Sequence, residues 1–192
     1  MKTFPNTIRT YKQLDVDPFD LKLTDIKIED IAHALSMKCR FGGHCPVFYS
    51  VAQHSVICSY YVSIKEQMAA LLHDASEAYI SDIPSPVKYR LPDYLALERL
   101  VMEKIADVFQ FEYPLSDEAH SIDKTVLEWE WDHIMSNDRM GLLPRWFIPM
   151  SPEKAEGLFL SYYNKYKTLF NYENINKALG EGTHRPDTEN KN

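Results

Sequence analysis

The sequence is poor in cysteine, in basic residues and in long apolar runs, and each shortage excludes a class of protein. Its 192 residues include three cysteines, whose odd number and spacing argue against a disulfide scaffold or a zinc knuckle and favour a reducing cytoplasm. Lysine and arginine total 21 against 28 acidic residues, a net charge of −7, which argues against binding to long nucleic acids or anionic membranes. No apolar run approaches the roughly 18 residues of a membrane-spanning helix, and the polar opening stretch with Pro5 predicts no secretory leader.

Helical periodicity dominates the chain and predicts an all-α fold. We expect one domain over residues 24–175, preceded by an irregular or short-stranded N-terminal arm (1–23) and followed by a polar tail (176–192) without regular structure. The paired glycines of "RFGGHCPVFYS" (40–50) predict a loop. Helices are predicted over residues 24–39, 50–63, 66–80, 92–110, 116–136 and 152–170.

Two polar residues lie where a helix should face the core. His54 falls on the apolar arc of the 50–63 helix, and Asp123 shares an arc with Val126 in the 116–136 helix. A carboxylate buried without a partner costs on the order of several kcal/mol or becomes neutral. Both residues are therefore expected to point inward and to meet a partner charge.

The segment "ALLHDASEAY" (70–79) adds a histidine and two carboxylates on a second arc of its predicted helix, opposite the stripe that packs into the core. Single inward histidines are more often hydrogen-bonded core residues, and single inward aspartates usually pair with arginine. Four such residues at helical positions instead favour one divalent transition metal with positions open to water and substrate. The predicted metal ligands are His54, His73, Asp74 and Asp123.

This order of a histidine, a His-Asp doublet and a distant aspartate resembles the HD-domain metal-dependent phosphohydrolases. The motifs are "YSVAQHSV" (49–56), "HDASEAYISDIPSPVKY" (73–89) and "HSIDKTVLEW" (120–129). The resemblance covers roughly residues 24–135 and implies an HD-domain helical bundle with a single-metal site. The middle motif is similar to bacterial 5'-deoxynucleotidases, and residues 28–56 are similar to phage dATP triphosphohydrolases.

The resemblance also implies roles for residues around the metal. Its catalytic carboxylates correspond to Glu77 and Asp82, and its phosphate-facing residues to Arg40 and Lys88. Phe41 stands where those nucleotidases carry tryptophan after the arginine, which leaves base and sugar selection open. His44 is predicted either to join the phosphate site or to bond backbone within its loop.

The favoured function is therefore a deoxynucleoside triphosphohydrolase that prefers dATP and releases deoxynucleoside and triphosphate. A 5'-deoxynucleotidase acting on monophosphates is the alternative, and a non-catalytic nucleotide-binding module is a second. The expected cofactor is one divalent ion, Zn, Co or Mn, with Mg as an accessory to the phosphates. The resemblance implies a homo-oligomer, a dimer or a hexamer, in the cytoplasm of a bacterium or a phage-infected host.

Overall fold

The computed structural model describes residues 6–136 and 147–179 and confirms the all-α fold. In the N-terminal arm, strand β1 (Ile8–Arg9) pairs antiparallel with β2 (Asp15–Val16), while residues 1–5 lie outside the described part. A π-helical segment, Trp131–Met135, continues directly from α7. The helices are α1 (Ile28–Met37), α2 (Val51–Tyr60), α3 (Gln67–Leu71), α4 (Glu77–Ile80), α5 (Ser85–Lys88), α6 (Pro92–Phe109), α7 (Asp117–Glu130) and α8 (Pro152–Leu179).

Helix α1 is amphipathic as the sequence predicts. Its apolar stripe, which includes Ile31, Ala32 and Leu35, is fully buried and faces α2 and α8. The helix begins at Ile28 rather than near Thr24, because residues 23–25 form a short 3₁₀ turn. This packing holds α1 against the centre of the bundle.

Helix α2 is the centre of the bundle, and every residue from Val51 to Ser59 is buried. One hydrophobic cluster lies on the side of Val51 and a smaller one on the side of Ile57. A helix without a solvent face must satisfy its polar groups within the protein. Gln53 does so by donating from Nε2 to the carbonyl oxygen of Ile148 at 2.9 Å, so its neighbour His54 is expected to have a protein partner as well.

The predicted helix over residues 66–80 is wrong, because α3 ends at Leu71 and α4 begins only at Glu77. The intervening residues form turns. The predicted core positions Leu72, Ala75 and Tyr79 are nevertheless buried. The turn keeps the packing side of the segment and changes only the direction of its polar side chains.

Helix α8 begins at the predicted position but continues to Leu179, past the predicted helix end at residue 170 and into the segment predicted as a tail without regular structure. The remainder of the predicted tail, residues 180–192, lies outside the described residues. None of the helices described in the two ranges combines the length and hydropathy needed to cross a membrane.

Candidate metal centre and its cleft

Three segments of the chain bring two imidazoles and a carboxylate to one point. His54 lies in the middle of α2, His73 in the turn after α3, and Asp123 in the middle of α7. The Nε2 atoms of the two histidines are 3.3 Å apart. Asp123 Oδ1 lies 3.0 Å from His54 Nε2 and 3.6 Å from His73 Nε2. These residues, predicted from distant parts of the sequence, therefore converge.

The turn between α3 and α4 aims the His-Asp doublet at this point. Adjacent residues on a continuous helix point about 100° apart, so their side chains reach one site only from its two flanks. Here the chain leaves the helix after Leu71, and His73 Nε2 and Asp74 Oδ2 approach to 3.2 Å. His73 Nδ1 donates to the Ala70 carbonyl oxygen at 2.8 Å, a bond that fixes the ring.

Both imidazoles turn their Nε2 atoms towards the centre. The Ala70 carbonyl can only accept, so His73 carries a proton on Nδ1. His54 Nδ1 likewise lies 2.7 Å from Glu130 Oε1, a carboxylate oxygen. The two Nε2 atoms therefore face each other and Asp123 Oδ1, an arrangement that a proton or a metal ion between them stabilises. Carboxylate and carbonyl partners on Nδ1 are also the usual orienting groups of metal-binding histidines.

The pKa directions agree with a centre that favours positive charge. Burial alone would lower the pKa of His73, but Asp74 and Asp123 outweigh burial and raise it. Burial would raise the pKa of Asp123, but its bonds to His54 and His73 hold it well below the ordinary range. The group thus attracts a proton or a metal ion between the imidazoles and the carboxylates.

The fourth ligand has two candidates. The ligand atoms of His54, Cys58, His73 and Asp123 all lie within 4.8 Å of one another, so this group could hold a metal ion. Cys58 Sγ is 3.5 Å from His54 Nε2, on the buried side of α2. The predicted ligand Asp74 faces the open side and is 3.7 Å from Arg40 Nη1. Oxygen and thiolate donors both suit a divalent transition metal.

Asp123 is less buried than predicted, with 41% of its side chain exposed. It lies at the floor of an open cleft of about 660 Å³, rather than inside the core. Solvent therefore reaches the centre from the side of Asp123. The cleft lining includes Arg40, Phe41, Asp74, Glu77, Asp82, Lys88, Tyr89, Glu98, Asp123, Leu127, Glu128 and Trp131.

The two predicted catalytic carboxylates both line this cleft. Glu77 is 4% exposed, and its Oε2 has no hydrogen-bond partner among the described residues. Burial and the neighbouring charges of Asp74 and Asp82 raise the pKa of Glu77. Burial and Asp74 likewise raise the pKa of Asp82. A carboxylate with a raised pKa and a free oxygen can exchange a proton with a group in the cleft.

Three of the four predicted substrate-binding residues line the cleft formed by the described residues, and the fourth does not. Arg40 lines the cleft, with its Nε bonded to Glu130 Oε2 at 2.9 Å, and Phe41 lies beside it. Lys88 also reaches the cleft, where its Nζ pairs with Glu98 Oε1 at 2.7 Å. His44 is exposed and lies outside the cleft lining formed by the described residues.

The family of the chain follows from comparison with known proteins. No protein-family model matches it. It is 35% identical over 178 residues to the uncharacterized protein YfdR of Escherichia coli (strain K12), a match covering 88% of this chain and 96% of that protein. The chain belongs to the YfdR family. An uncharacterized protein of Rhodobacter capsulatus is 38% identical over 82 residues, 38% of this chain and 42% of that protein.

Sequence reasoning missed Glu130, which connects the cleft of this YfdR-family chain to its metal centre. The carboxylate is fully buried and accepts from Arg40 Nε with one oxygen and from His54 Nδ1 with the other. Glu130 lies seven residues after Asp123, on the same arc of α7. The helical-arc argument used for Asp123 could therefore have identified it.

Lys38 was also missed. Burial lowers the pKa of Lys38, and the carboxylates of Glu77 and Asp82 oppose this shift. Lys38 thus supplies a positive charge close to both predicted catalytic groups. The sequence marks Lys38 only by its position just before the "RFGGHC" loop of this YfdR-family chain.

Proposed function

We propose that this protein is a metal-dependent phosphohydrolase that cleaves the 5'-phosphate ester of 2'-deoxynucleotides. The observation that carries the proposal is the convergence of His54 Nε2, His73 Nε2 and Asp123 Oδ1 beside a cleft that Asp123 and Glu77 both line. Such atoms gathered around one point favour a cation there, and a free carboxylate beside it supplies a base.

The residues fit one divalent ion such as Zn, Co or Mn, held by His54, His73 and Asp123 with Asp74 or Cys58 as the fourth donor. When bound, such an ion supplies Lewis-acid polarisation of a phosphoryl oxygen, and Mg would serve as an accessory to further phosphates. Glu130 and the Ala70 carbonyl keep the two imidazoles oriented for ligation.

Other residues handle the substrate and the proton. Arg40 is anchored through Nε by Glu130, while its Nη1 makes only a longer contact with Asp74, at 3.7 Å. The Nη groups can therefore turn to phosphate oxygens. Glu77 takes the proton of the attacking water, because burial and the nearby carboxylates raise its pKa and so make it a stronger proton acceptor than an ordinary glutamate. Asp82 orients the same water or assists the leaving ribose oxygen.

The number of phosphates on the substrate separates two candidates. The sequence resemblance favours dATP hydrolysis to deoxyadenosine and triphosphate. The charge of the described part of the cleft favours a monophosphate, because the two basic residues in that lining, Arg40 and Lys88, are both already paired with carboxylates. The same described lining contains six carboxylates, those of Asp74, Glu77, Asp82, Glu98, Asp123 and Glu128, and a triphosphate would need accessory Mg against this negative field.

Product analysis tests the proposal. Purified protein is incubated with dATP or dAMP in the presence of Mn, Co or Zn, and phosphate and triphosphate are separated by ion chromatography. Triphosphate from dATP supports the favoured activity, and phosphate from dAMP alone supports the 5'-deoxynucleotidase. Absence of both products from protein that binds metal and nucleotide would support the non-catalytic nucleotide-binding module instead.

The setting of the activity is part of the proposal. A deoxynucleotide phosphohydrolase would work in the cytoplasm of a bacterium or a phage-infected host, where its substrates occur. A homo-oligomer, either a dimer or a hexamer, is the expected assembly, and light scattering of the pure protein would test it.

A further inference from the structure

We infer that Trp131 forms the platform on which the nucleobase of the substrate stacks. The inference rests on the proposed nucleotide substrate and adds a specificity-determining residue to the cleft. The indole is 57% exposed and lines the same cleft as Asp123 and Arg40. A large aromatic ring exposed at a candidate binding site indicates an interaction surface.

A row of three residues on one side of a helix sets the position of Trp131 relative to the proposed metal centre. Asp123, Leu127 and Trp131 are spaced by four residues along α7 and the π-helical segment that follows it, so they lie on one side of the helix. At about 1.5 Å per residue, the indole lies about 12 Å along the axis from the metal ligand. A nucleotide whose phosphate lies at the proposed metal site beside Asp123 can span this distance with its sugar and base.

The surface between the two ends of the row is apolar. Leu127 is 38% exposed and lines the cleft midway between the carboxylate and the indole. A deoxyribose lacks the 2'-hydroxyl and presents a carbon face to such a residue. The row therefore offers a carboxylate at the phosphate end, an aliphatic side chain under the sugar and an aromatic face under the base.

The ring of Phe41 contacts the indole of Trp131. The two rings are 6.0 Å apart with an interplanar angle of 63°, an edge-to-face contact. Phe41 itself is held at a φ of 55°, a conformation uncommon for a bulky residue. It follows Arg40 directly, so the phosphate-binding residue and the ring that supports Trp131 belong to one loop.

Calorimetric titration of the full chain tests the inference without requiring turnover. The ligands are dAMP and deoxyribose 5-phosphate, which lacks the base, and both are measured with Mn in a Glu77→Gln background. Base stacking on an aromatic ring contributes about 1–3 kcal/mol, so Trp131→Ala should weaken dAMP binding about tenfold and leave deoxyribose 5-phosphate within about twofold. Trp131→Phe should retain most of the affinity for dAMP.

Tyr60→Ala is the matched control. Tyr60 is also an exposed aromatic residue at a helix end, 47% exposed and in edge contact with the ring of Tyr61, but it lies outside the cleft lining. This variant should bind both ligands like the parent. Thermal unfolding monitored by circular dichroism shows whether each variant is folded.

Two results would overturn the inference: unchanged dAMP binding by Trp131→Ala, or an equal loss of affinity for both ligands, which would indicate a general structural role. The proposed function can fail separately. If dAMP binds in a Trp131-dependent way while the unmodified protein hydrolyses no nucleotide, the inference about Trp131 is supported and the proposed phosphohydrolase activity is refuted. If the unmodified protein binds neither ligand, both are refuted.

Discussion

Replacement of Glu130 by glutamine should destabilise the fold and weaken metal binding together. The carboxylate is fully buried and accepts two hydrogen bonds, at 2.9 Å from Arg40 Nε and at 2.7 Å from His54 Nδ1. Glutamine has nearly the same volume but only one accepting oxygen. Its amide group would face one of the two donors, so either Arg40 or His54 must lose its partner.

The expected magnitude follows from these contacts. Removing one partner of a buried ion pair costs about 3–5 kcal/mol. Arg40 keeps a weaker contact with Asp74 at 3.7 Å, which places the expected loss in unfolding free energy near the lower end, about 3 kcal/mol. Loss of the partner that orients His54 should lower metal affinity about 10–100-fold.

Urea unfolding at pH 7, followed by far-ultraviolet circular dichroism, gives the free energy, and competition with a chromophoric zinc chelator gives the metal affinity. Glu156→Gln is the matched control. Glu156 also pairs with a histidine, His33 Nδ1 at 3.0 Å, but both side chains are partly exposed and neither lines the cleft. It should lose less than about 1 kcal/mol and leave zinc binding unchanged.

The reasoning about Glu130 is refuted if Glu130→Gln unfolds at the same urea concentration as the parent protein and binds zinc equally well. Equal losses in Glu130→Gln and Glu156→Gln would also refute it. Either result would mean that burial and the double hydrogen bond give Glu130 no special role.

The other predictions concern the metal ligands and the base. Mass spectrometry after gel filtration measures the metal content of the ligand variants. If Asp74 is the fourth ligand, the metal content should fall strongly in Asp74→Ala and remain near the parent level in Cys58→Ser. The reverse pattern would assign Cys58 as the fourth ligand. Glu77→Gln should reduce hydrolysis by at least about 100-fold while retaining the metal, and a fully active variant would exclude Glu77 as the base. The same variant should unfold at a higher temperature than the parent at pH 7 but not at pH 4. Burial raises the pKa of Glu77 above its ordinary value of 4.5, so its ionisation costs stability only above that pH; an equal gain at both pH values would contradict this.

Much of the fold could be predicted because helix periodicity is a local property. The apolar spacing in α1 identified the residues that pack into the core, Ile31 and Leu35 among them. The segment around His73 was predicted as continuous helix because its apolar positions, Leu72 and Ala75, keep helical spacing. The chain leaves the helix there while keeping those side chains buried, and periodicity alone cannot distinguish the two.

The metal centre was predictable to a similar extent. His54 and Asp123 lie on apolar arcs of their helices, and a polar group on such an arc indicates an inward partner. Which residue becomes that partner depends on which helices cross and on where along each helix the crossing lies. Glu130 shows this. It shares the arc of Asp123, yet its partners His54 and Arg40 lie 76 and 90 positions away in the sequence.

The sequence by itself determined the helical class of the protein and identified His54, His73 and Asp123 as side chains able to bind a cation, because both depend on residue type and on spacing of a few positions along the chain. Only the tertiary structure decided the rest. The meeting of α2, α7 and the turn after α3 set the distances between ligand atoms and placed Cys58 as a rival to Asp74. It also left the Trp131 indole exposed in the cleft. Such contacts join residues far apart in the chain, and their geometry follows from how the whole core packs.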